Sequence, residues 1–499
     1  MSFNLLPKYL EKHKESLHTG AVAYYAALDQ ISETSESTAK SIIQELYDQN
    51  NHIKLIASEN FCSLATQLAQ GNLLTDKYAE GFARHRFYAG CDNVDDIEAE
   101  ACELACKLFG ADHAFVQPHA GADANMIAFS AILNQKVRDP LVEKLGYKKL
   151  TDIPDKEWTK IREAMNSQKL LAMDYYSGGH LTHGYRYNIS AQMFDVCNYT
   201  VNKETNELDV EELRKSIHEV KPLIFLVGYS AYTRKINFKK LRELADEVGA
   251  VFMVDMAHFA GLVAGKVFTG EYDPIPYAHV VTTTTHKTLR GPRGAMVLCK
   301  EEFGDMMDKS CPTILGGPLP HAMAAKVVAF KEALKPEFQT YAAKVVENSR
   351  ALGEACVKRG MTLSTGGTDN HQILVNVDVS YGINGKQAEA ALRECGITLN
   401  RNALPFDTNG PWYTSGLRLG TPATTTLGMG LSEMDKIADI IHSVLSNTKP
   451  LVVDGKAKKA KYVLDEAIVK EAKAKAEAIL KEYPLYPELD HELIFSVLN

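Results

Sequence analysis

Two stretches of this 499-residue chain, Pro222–Gly228 and Ala250–Asp255, are continuous apolar runs, the second ending at its aspartate, and no longer than a strand, with the helical pattern of Lys239–Glu247 between them. An apolar strand with no polar alternation is buried on both faces, which happens in parallel sheets covered by helices. The alternation extends in both directions. Asp92–Leu108 reads as a helix, Asp112–Gln117 as a short strand and Ala122–Leu133 as a helix, while Val280–Thr285 reads as a further strand. Such a series specifies a large, doubly wound, mostly parallel α/β domain. Near Lys331 the pattern changes to a long helix through Leu352, then to shorter strands at Met361–Thr365 and Gln372–Asp378, as in a smaller C-terminal α+β domain.

Three segments fall outside that series. Val22–Asn51 has helical periodicity and little core of its own, so residues 1–75 read as a helical arm. Lys136–Asp174 is rich in charges of both signs, with helical character over Asp155–Leu171, and reads as a solvated insertion in a large domain of residues 76–330. In the remaining 331–499, Leu451–Glu482 reads as a lysine- and alanine-rich amphipathic helix laid on the small domain. The net charge of −8 argues against a nucleic-acid partner. Nine cysteines without a repeating spacing suggest reduced thiols in a cytoplasm-like compartment, with Cys102 and Cys106 packed on a helix face. Met1–Leu17 lacks a signal-peptide core, and Val251–Val263 is interrupted by Asp255 and His258, so neither a leader nor a membrane partner is expected.

The chemistry concentrates at strand ends. Lys287 follows the Val280–Thr285 strand inside a loop punctuated by Gly291, Pro292 and Gly294. A lysine desolvated there, beside other cations, becomes an amine nucleophile able to form a Schiff base with pyridoxal phosphate (PLP). Asp255 ends its own strand, where open α/β sheets bind ligands, and a buried carboxylate there needs a cation such as a protonated pyridine nitrogen. Gln117–Asn125 is a strand followed by a small-residue turn that opens a helix, a natural phosphate seat. Ser177–Gly184 offers His180 on a glycine loop, placed to stack on an aromatic ring. A metal site built from His180, His183, Asp255 and His258 lacks a carboxylate-rich outer shell, and none is expected.

Taken together, Ile56–Phe61, Tyr78–Gly81, Gly178–Gly184, Asp255–His258, Thr282–Gly294 and Ser415–Ala423 resemble the serine hydroxymethyltransferase family, in the family's order and from about Leu55 to Met429. The resemblance implies an aminotransferase-like PLP enzyme of fold type I that moves the serine hydroxymethyl group to tetrahydrofolate. It implies that Lys287 holds the cofactor, Asp255 pairs with its pyridine nitrogen, His180 stacks on it and His258 contacts its phenolic oxygen. Ser230, Gly121, Ala122 and Thr284 join the cofactor contacts. Arg418 grips the substrate carboxylate, with Ser58, Tyr88 and Arg293 beside it. Glu80, with Tyr78 and His286, is the implied proton-transfer group, and Gly179, Leu181, Asn402, Pro411 and Trp412 match positions near the folate. Tyr78, Glu80, Tyr88, Gly316 and Gly317 are implied to complete a neighbouring subunit's site, which makes the protein a homodimer or dimer of dimers, with a cytoplasmic location.

The chain also departs from the family pattern. Ala120 and Ala122 stand where serines are usual, followed by the acidic Asp123, and each lost phosphate hydrogen bond is expected to weaken cofactor binding by roughly 1 kcal/mol. Phe82–Tyr88 differs from the usual pattern, and the glycine-rich segment before Gly316 is short. The competing expectations are a folate-independent aldolase or alanine racemase on the same cofactor, and a non-catalytic scaffold. The scaffold has no use for the buried charges of Lys287, Asp255 and Arg418.

Overall fold

The computed structural model describes residues 3–498; Met1, Ser2 and Asn499, the outer ends of the arm and of the C-terminal segment, lie outside it. Seven strands form the central sheet: β1 (His113–Phe115), β2 (Lys169–Met173), β3 (Asp195–Tyr199), β4 (Ile224–Gly228), β5 (Val251–Asp255), β6 (Val280–Thr284) and β7 (Ala295–Cys299). Their order is β1-β7-β6-β5-β4-β2-β3, and β7 alone runs against the others. The continuous apolar runs are explained by two cores, one on each face. Phe225, Val227, Phe252 and Val254 enter one cluster; their neighbours Ile224, Leu226, Val251 and Met253 enter the other. That is the period of two seen by both faces of a covered sheet.

A second sheet holds β8 (Thr362–Leu363), β9 (Gln372–Asn376), β10 (Asn400–Asn402) and β11 (Gly416–Gly420) in the order β8-β9-β11-β10, all antiparallel. Its core includes Ile53 and Leu55, because Ile53–Lys54 pairs in parallel with Ile397–Thr398. The N-terminal helices Leu5–Lys12, Thr19–Thr34 and Glu36–Asn50 share a cluster with Leu485, Leu489 and Ile494 near the C-terminus.

Several sequence expectations need correction. The helical reading of Asp155–Leu171 stops at Asn166, and Lys169–Met173 is the core strand β2, so the stretch read as an insertion ends inside the sheet. Leu451–Glu482 is not one helix: Lys449–Val453 and Lys456–Val463 form an exposed hairpin before the helix Glu466–Glu482. The helix read from Lys331 to Leu352 is two, Pro320–Ala333 and Pro336–Lys358, because the ring of Pro336 disfavours helical backbone at Lys335. Gln372–Asp378 ends as a strand at Asn376, whose side chain caps the short helix Val377–Tyr381. Val22–Asn51 divides at Ser35, whose hydroxyl accepts from the Thr38 N–H at 3.4 Å.

Candidate active site

A cavity of about 570 Å³ opens where the carboxyl ends of the parallel strands meet the second sheet. Each strand delivers one wall. β1 leads through Gln117 and Pro118 to the turn at Gly121, which begins the helix Gly121–Leu133. β2 leads to Tyr175, Gly179, His180 and Leu181. β4 ends beside Tyr229, Ser230 and Ala231, β5 ends at Asp255, and β6 ends at Thr284 beside His286 and Lys287. Asn400, Asn402, Pro411, Thr414 and Arg418 close it from the second sheet, and Ser58 from the N-terminal segment.

Lys287 is held by its backbone. The Asn60 amide donates to its carbonyl at 2.9 Å and to the Tyr341 hydroxyl at 2.7 Å, while Thr426 donates to Asn60 Oδ1 at 2.7 Å. The loop behind it is tight: Gly291 N–H bonds the Thr285 carbonyl at 2.7 Å, and a Cβ at Gly291 would lie 2.7 Å from that same oxygen. The threonine run can be buried because its hydroxyls are bonded, Thr282 to Asn125 Oδ1 at 2.6 Å and Thr285 to the Pro292 carbonyl at 2.6 Å. Burial, with Arg418 and Arg293 nearby, pushes the Lys287 amine down to about 8 despite Asp255. The free amine is the attacking form. Capture of a carbonyl compound by the apoprotein should therefore quicken about tenfold per pH unit below neutrality and level off near pH 8; stopped-flow absorbance reads this directly. A lysine at its ordinary value would keep accelerating beyond pH 9.

Asp255 is fully enclosed by donors. Oδ2 accepts from Asn125 Nδ2 at 2.9 Å and His183 Nε2 at 3.0 Å, and Oδ1 from the Ala257 N–H at 3.1 Å. Burial alone would raise this carboxyl, but the His183 hydrogen bond, His180 and Asn125 hold it well below the usual carboxylate range. Because His183 Nδ1 accepts from the His180 N–H at 3.2 Å, its proton sits on Nε2, facing Asp255. A carboxylate has about four acceptor sites, so one remains for a cationic N–H inside the cavity. His180 Nδ1 faces the Thr182 hydroxyl at 2.7 Å and accepts from the Thr182 N–H at 3.2 Å, and burial pushes the ring down to about 4, so it is neutral. His258 is driven below its ordinary value by burial and by Lys287, and its Nδ1 lies 3.2 Å from His371 Nε2.

Arg418 lies on β11 opposite Asn400 on β10, and that pairing sets its direction. Its Nε donates to Asn400 Oδ1 at 3.0 Å and Nη1 to the Ser230 carbonyl at 2.6 Å. Among the described residues no carboxylate lies within ion-pair distance of it, and burial lowers it to about 10. A partly buried guanidinium with only neutral partners is able to seat an incoming carboxylate.

A family model described as serine hydroxymethyltransferase matches residues 31–141 and 160–441. The chain is 52% identical to the serine hydroxymethyltransferase of Treponema pallidum, over 99% of this chain and 86% of the relative. It is 52% identical to that of Salinispora tropica, over 94% and 98%, and 50% identical to that of Chlamydia muridarum, over 98% and 99%. The chain belongs to the serine hydroxymethyltransferase family. It thus has the PLP-dependent fold type I architecture, as the mostly parallel sheet leads one to expect. The stretch the family model passes over, 142–159, is shorter than the Lys136–Asp174 read as an insertion and lies inside it; it packs around Val142, Ile153 and Ile161 with Tyr147 and Trp158.

The cavity fits the family's cofactor. It joins one partly buried amine, one carboxylate with a free acceptor site and a helix-opening turn; a Cβ at Gly121 would come within 2.9 Å of Thr284 Cγ2, so that turn lies hard against the strand end. His286 lines the same wall, with a buried Nδ1 that has no partner. Ala120 and Ala122 bring no hydroxyl there, and the Ala120 N–H is already bonded to Asp123 Oδ2 at 3.1 Å.

Most of the sequence-derived site residues line this one cavity: Ser58, Gly121, Ala122, Gly179, His180, Leu181, Ser230, Asp255, His258, Thr284, His286, Lys287, Arg293, Asn402, Pro411 and Arg418. Tyr78, Glu80, Tyr88, Gly316, Gly317 and Trp412 do not. Tyr78 and Tyr88 meet edge to face at 4.9 Å, Gly317 lies against the Tyr78 ring, and both tyrosines are exposed. Trp412 stands outside the mouth under Lys386 and Arg401. Sequence reasoning gave no role to Asn60, Thr182, His371 or Asn400, placed Asn125 only in the phosphate turn, and saw His183 only as a possible metal ligand. Except for Thr182, which meets His180 two positions before it, their roles depend on partners from 18 to 366 positions away.

Proposed function

We propose that the cavity binds PLP and an amino-acid substrate together, with Lys287, Asp255 and Arg418 as its three anchors. The observation that carries this is a partly buried amine sharing a cavity with a partly buried guanidinium that has no carboxylate partner and with a buried carboxylate left one free acceptor site. The reaction is the reversible transfer of the hydroxymethyl group of serine to tetrahydrofolate, giving glycine, 5,10-methylenetetrahydrofolate and water.

PLP, held through Lys287, supplies the electron sink that allows bonds at the substrate Cα to break. The protein's share is position and fixed charge. Arg418, its fork fixed by Asn400 and Ser230, holds the substrate carboxylate and so fixes which Cα bond is presented for cleavage. Asp255, pinned by Asn125, His183 and the Ala257 N–H, offers a permanent negative charge to the pyridine nitrogen. Neutral His180 presents a face rather than a charge to the ring. The turn at Gly121 and Ala122 presents backbone N–H groups to the phosphate. Asn402, Leu181 and Pro411 form the side of the mouth where folate enters.

Glu80, Tyr78 and Tyr88, with Gly316 and Gly317, act in the cavity of a second copy of this chain, Glu80 moving the proton of the serine hydroxyl. The exposure of Tyr78 and Tyr88, and the position of all five outside the lining of this chain's own cavity, support this reading. Coexpressed Lys287→Ala and Glu80→Gln chains should then show more activity than the two variants purified separately and summed, because mixed dimers carry one intact site. Activity equal to that sum would place Glu80 in its own chain's cavity. The residue ranges 1–75, 76–330 and 331–499 serve in this reading as dimer arm, cofactor unit and closing unit.

The function is tested by following serine consumption with and without tetrahydrofolate, together with the visible absorbance of the protein in glycine. Folate-dependent glycine formation and a folate-dependent change in the glycine spectrum are expected. Cleavage of β-hydroxy amino acids indifferent to folate would replace hydroxymethyl transfer by an aldolase. Among the described residues no helix is long and apolar enough to cross a membrane.

A further inference from the structure

One buried cation has no part in these steps. Lys326, in the middle of the helix Pro320–Ala333, is 1% exposed. Its Nζ donates to the carbonyls of Val116 at 2.5 Å, Pro118 at 3.1 Å and Ala295 at 2.8 Å, which uses all three ammonium hydrogens. Among the described residues no carboxylate lies within ion-pair distance of it; Glu98, on a neighbouring helix, is bonded to Arg86 and Gln117. An ammonium buried without a counter-ion is costly, and a methionine of similar length would fill the space at less cost.

The three carbonyls belong to the two segments that frame the cofactor seat. Val116 and Pro118 carry β1 into the turn that opens at Gly121, and Ala295 starts β7 just past the Lys287–Arg293 loop. Pro118 O also accepts from the Ala295 N–H at 3.0 Å. Gly294 leaves room for the lysine: a Cβ there would lie 2.7 Å from Lys326 Cε. In the turn itself His119 Nε2, and on the cavity wall His286 Nδ1, are buried without partners. The turn meanwhile lacks hydroxyls at Ala120 and Ala122 and carries Asp123.

We propose that Lys326 is a positioning residue for the cofactor phosphate, clamping the 116–121 turn to the start of β7 and supplying from beneath it the positive charge that the turn itself lacks. The inference rests on PLP being the cofactor, and the two fail differently. An apoprotein that binds neither PLP nor pyridoxal ends the cofactor reading. An apoprotein that binds both but gains nothing from Lys326 ends only this one.

The test compares equilibrium binding of PLP and of pyridoxal, its phosphate-free analogue, to the apoprotein. In Lys326→Met, PLP affinity should fall by about tenfold or more and pyridoxal affinity should hold. An equal fall for both, or no fall for either, overturns the proposal.

The unmodified protein gives a second test that does not depend on the variant folding. Burial pushes Lys326 down to about 7, with Cys102 and Glu98 opposing that fall. A bound dianion would hold the proton on, so the ratio of PLP to pyridoxal affinity should fall from about pH 7 to 9, where a phosphate ester is already a dianion. Lys287 attacks both ligands and cancels in the ratio. Of the other groups facing the seat, burial raises Cys102 well above its ordinary value, raises Glu98 and lowers His119 and His286, the last to about 3; the remaining charged side chains there are Arg293 and Asp123. A ratio flat across that window overturns the proposal as well.

Discussion

Lys287→Ala should bind no cofactor covalently, and its kcat for serine should fall by at least about a thousandfold. Among the described residues that line the cavity it is the one amine, so no neighbour can substitute. Borohydride treatment followed by mass spectrometry should leave the variant at its unmodified mass, whereas the parent chain should retain the cofactor. Lys287→Arg should be equally inactive, which separates nucleophilicity from charge; activity retained by the arginine variant would show that the position serves as a cation only.

The same substitution has a second consequence, opposite in sign to most changes in a core. The folded state lowers this lysine from 10.5 to about 8, so the unfolded chain binds the extra proton between those values. Stability of the parent apoprotein therefore rises with pH across that window, and the full penalty applies below about pH 8. Removing the amine should stabilise the apoprotein at pH 7 by roughly 3 kcal/mol, less whatever the lost side-chain contacts contribute. A lower melting temperature for apo Lys287→Ala at pH 7 would mean that the lysine is not held against its charge.

The parts legible in the sequence were those whose signal is local. β4 and β5 announced themselves as apolar runs and β6 as a β-branched run of valines and threonines, and the carboxylate and amine at the ends of β5 and β6 followed from position alone. β2 was hidden because Ile161, Ala164, Met165, Leu170 and Leu171 keep an acceptable helical spacing, while Ser167 and Gln168, which turn the chain, carry no strong stop signal. The hairpin Lys449–Val463 was hidden for a different reason. Lysine and alanine favour helix, yet Lys456–Val463 is a strand secured from outside, by Gln387 donating to the Lys458 and Lys461 carbonyls and Asn384 to that of Lys459. At the site, local motifs gave most of the side chains that line the cavity, whereas the residues that aim them were found only once the strands were in register. Asn125 was read as part of a phosphate turn; its amide in fact ties Asp255, Thr182 and Thr282 together.

Arg418 gives the other large effect. Arg418→Lys keeps the positive charge and should still lower kcat/KM for serine by about a hundredfold or more, equivalent to some 2.7 kcal/mol. The reason is geometric: Nε and Nη1 are already committed to Asn400 and to the Ser230 carbonyl, and these two bonds point the rest of the fork into the cavity. An ammonium cannot make both bonds and still present a planar face to a carboxylate. Arg418→Ala should cost more, because the substrate carboxylate would enter a buried site with no counter-charge. Both variants should leave covalent attachment of PLP to Lys287 intact, so the loss would lie in substrate handling, and amines that lack a carboxylate should react equally well with parent and variants. Asn400→Ala should reproduce part of the effect, raising KM for serine several-fold through a looser fork, since one neutral hydrogen bond is worth about 1 kcal/mol. If Arg418→Lys retained its full kcat/KM, charge alone would suffice, and the pairing of Asn400 with Arg418 across β10 and β11 would have no part in choosing which bond breaks.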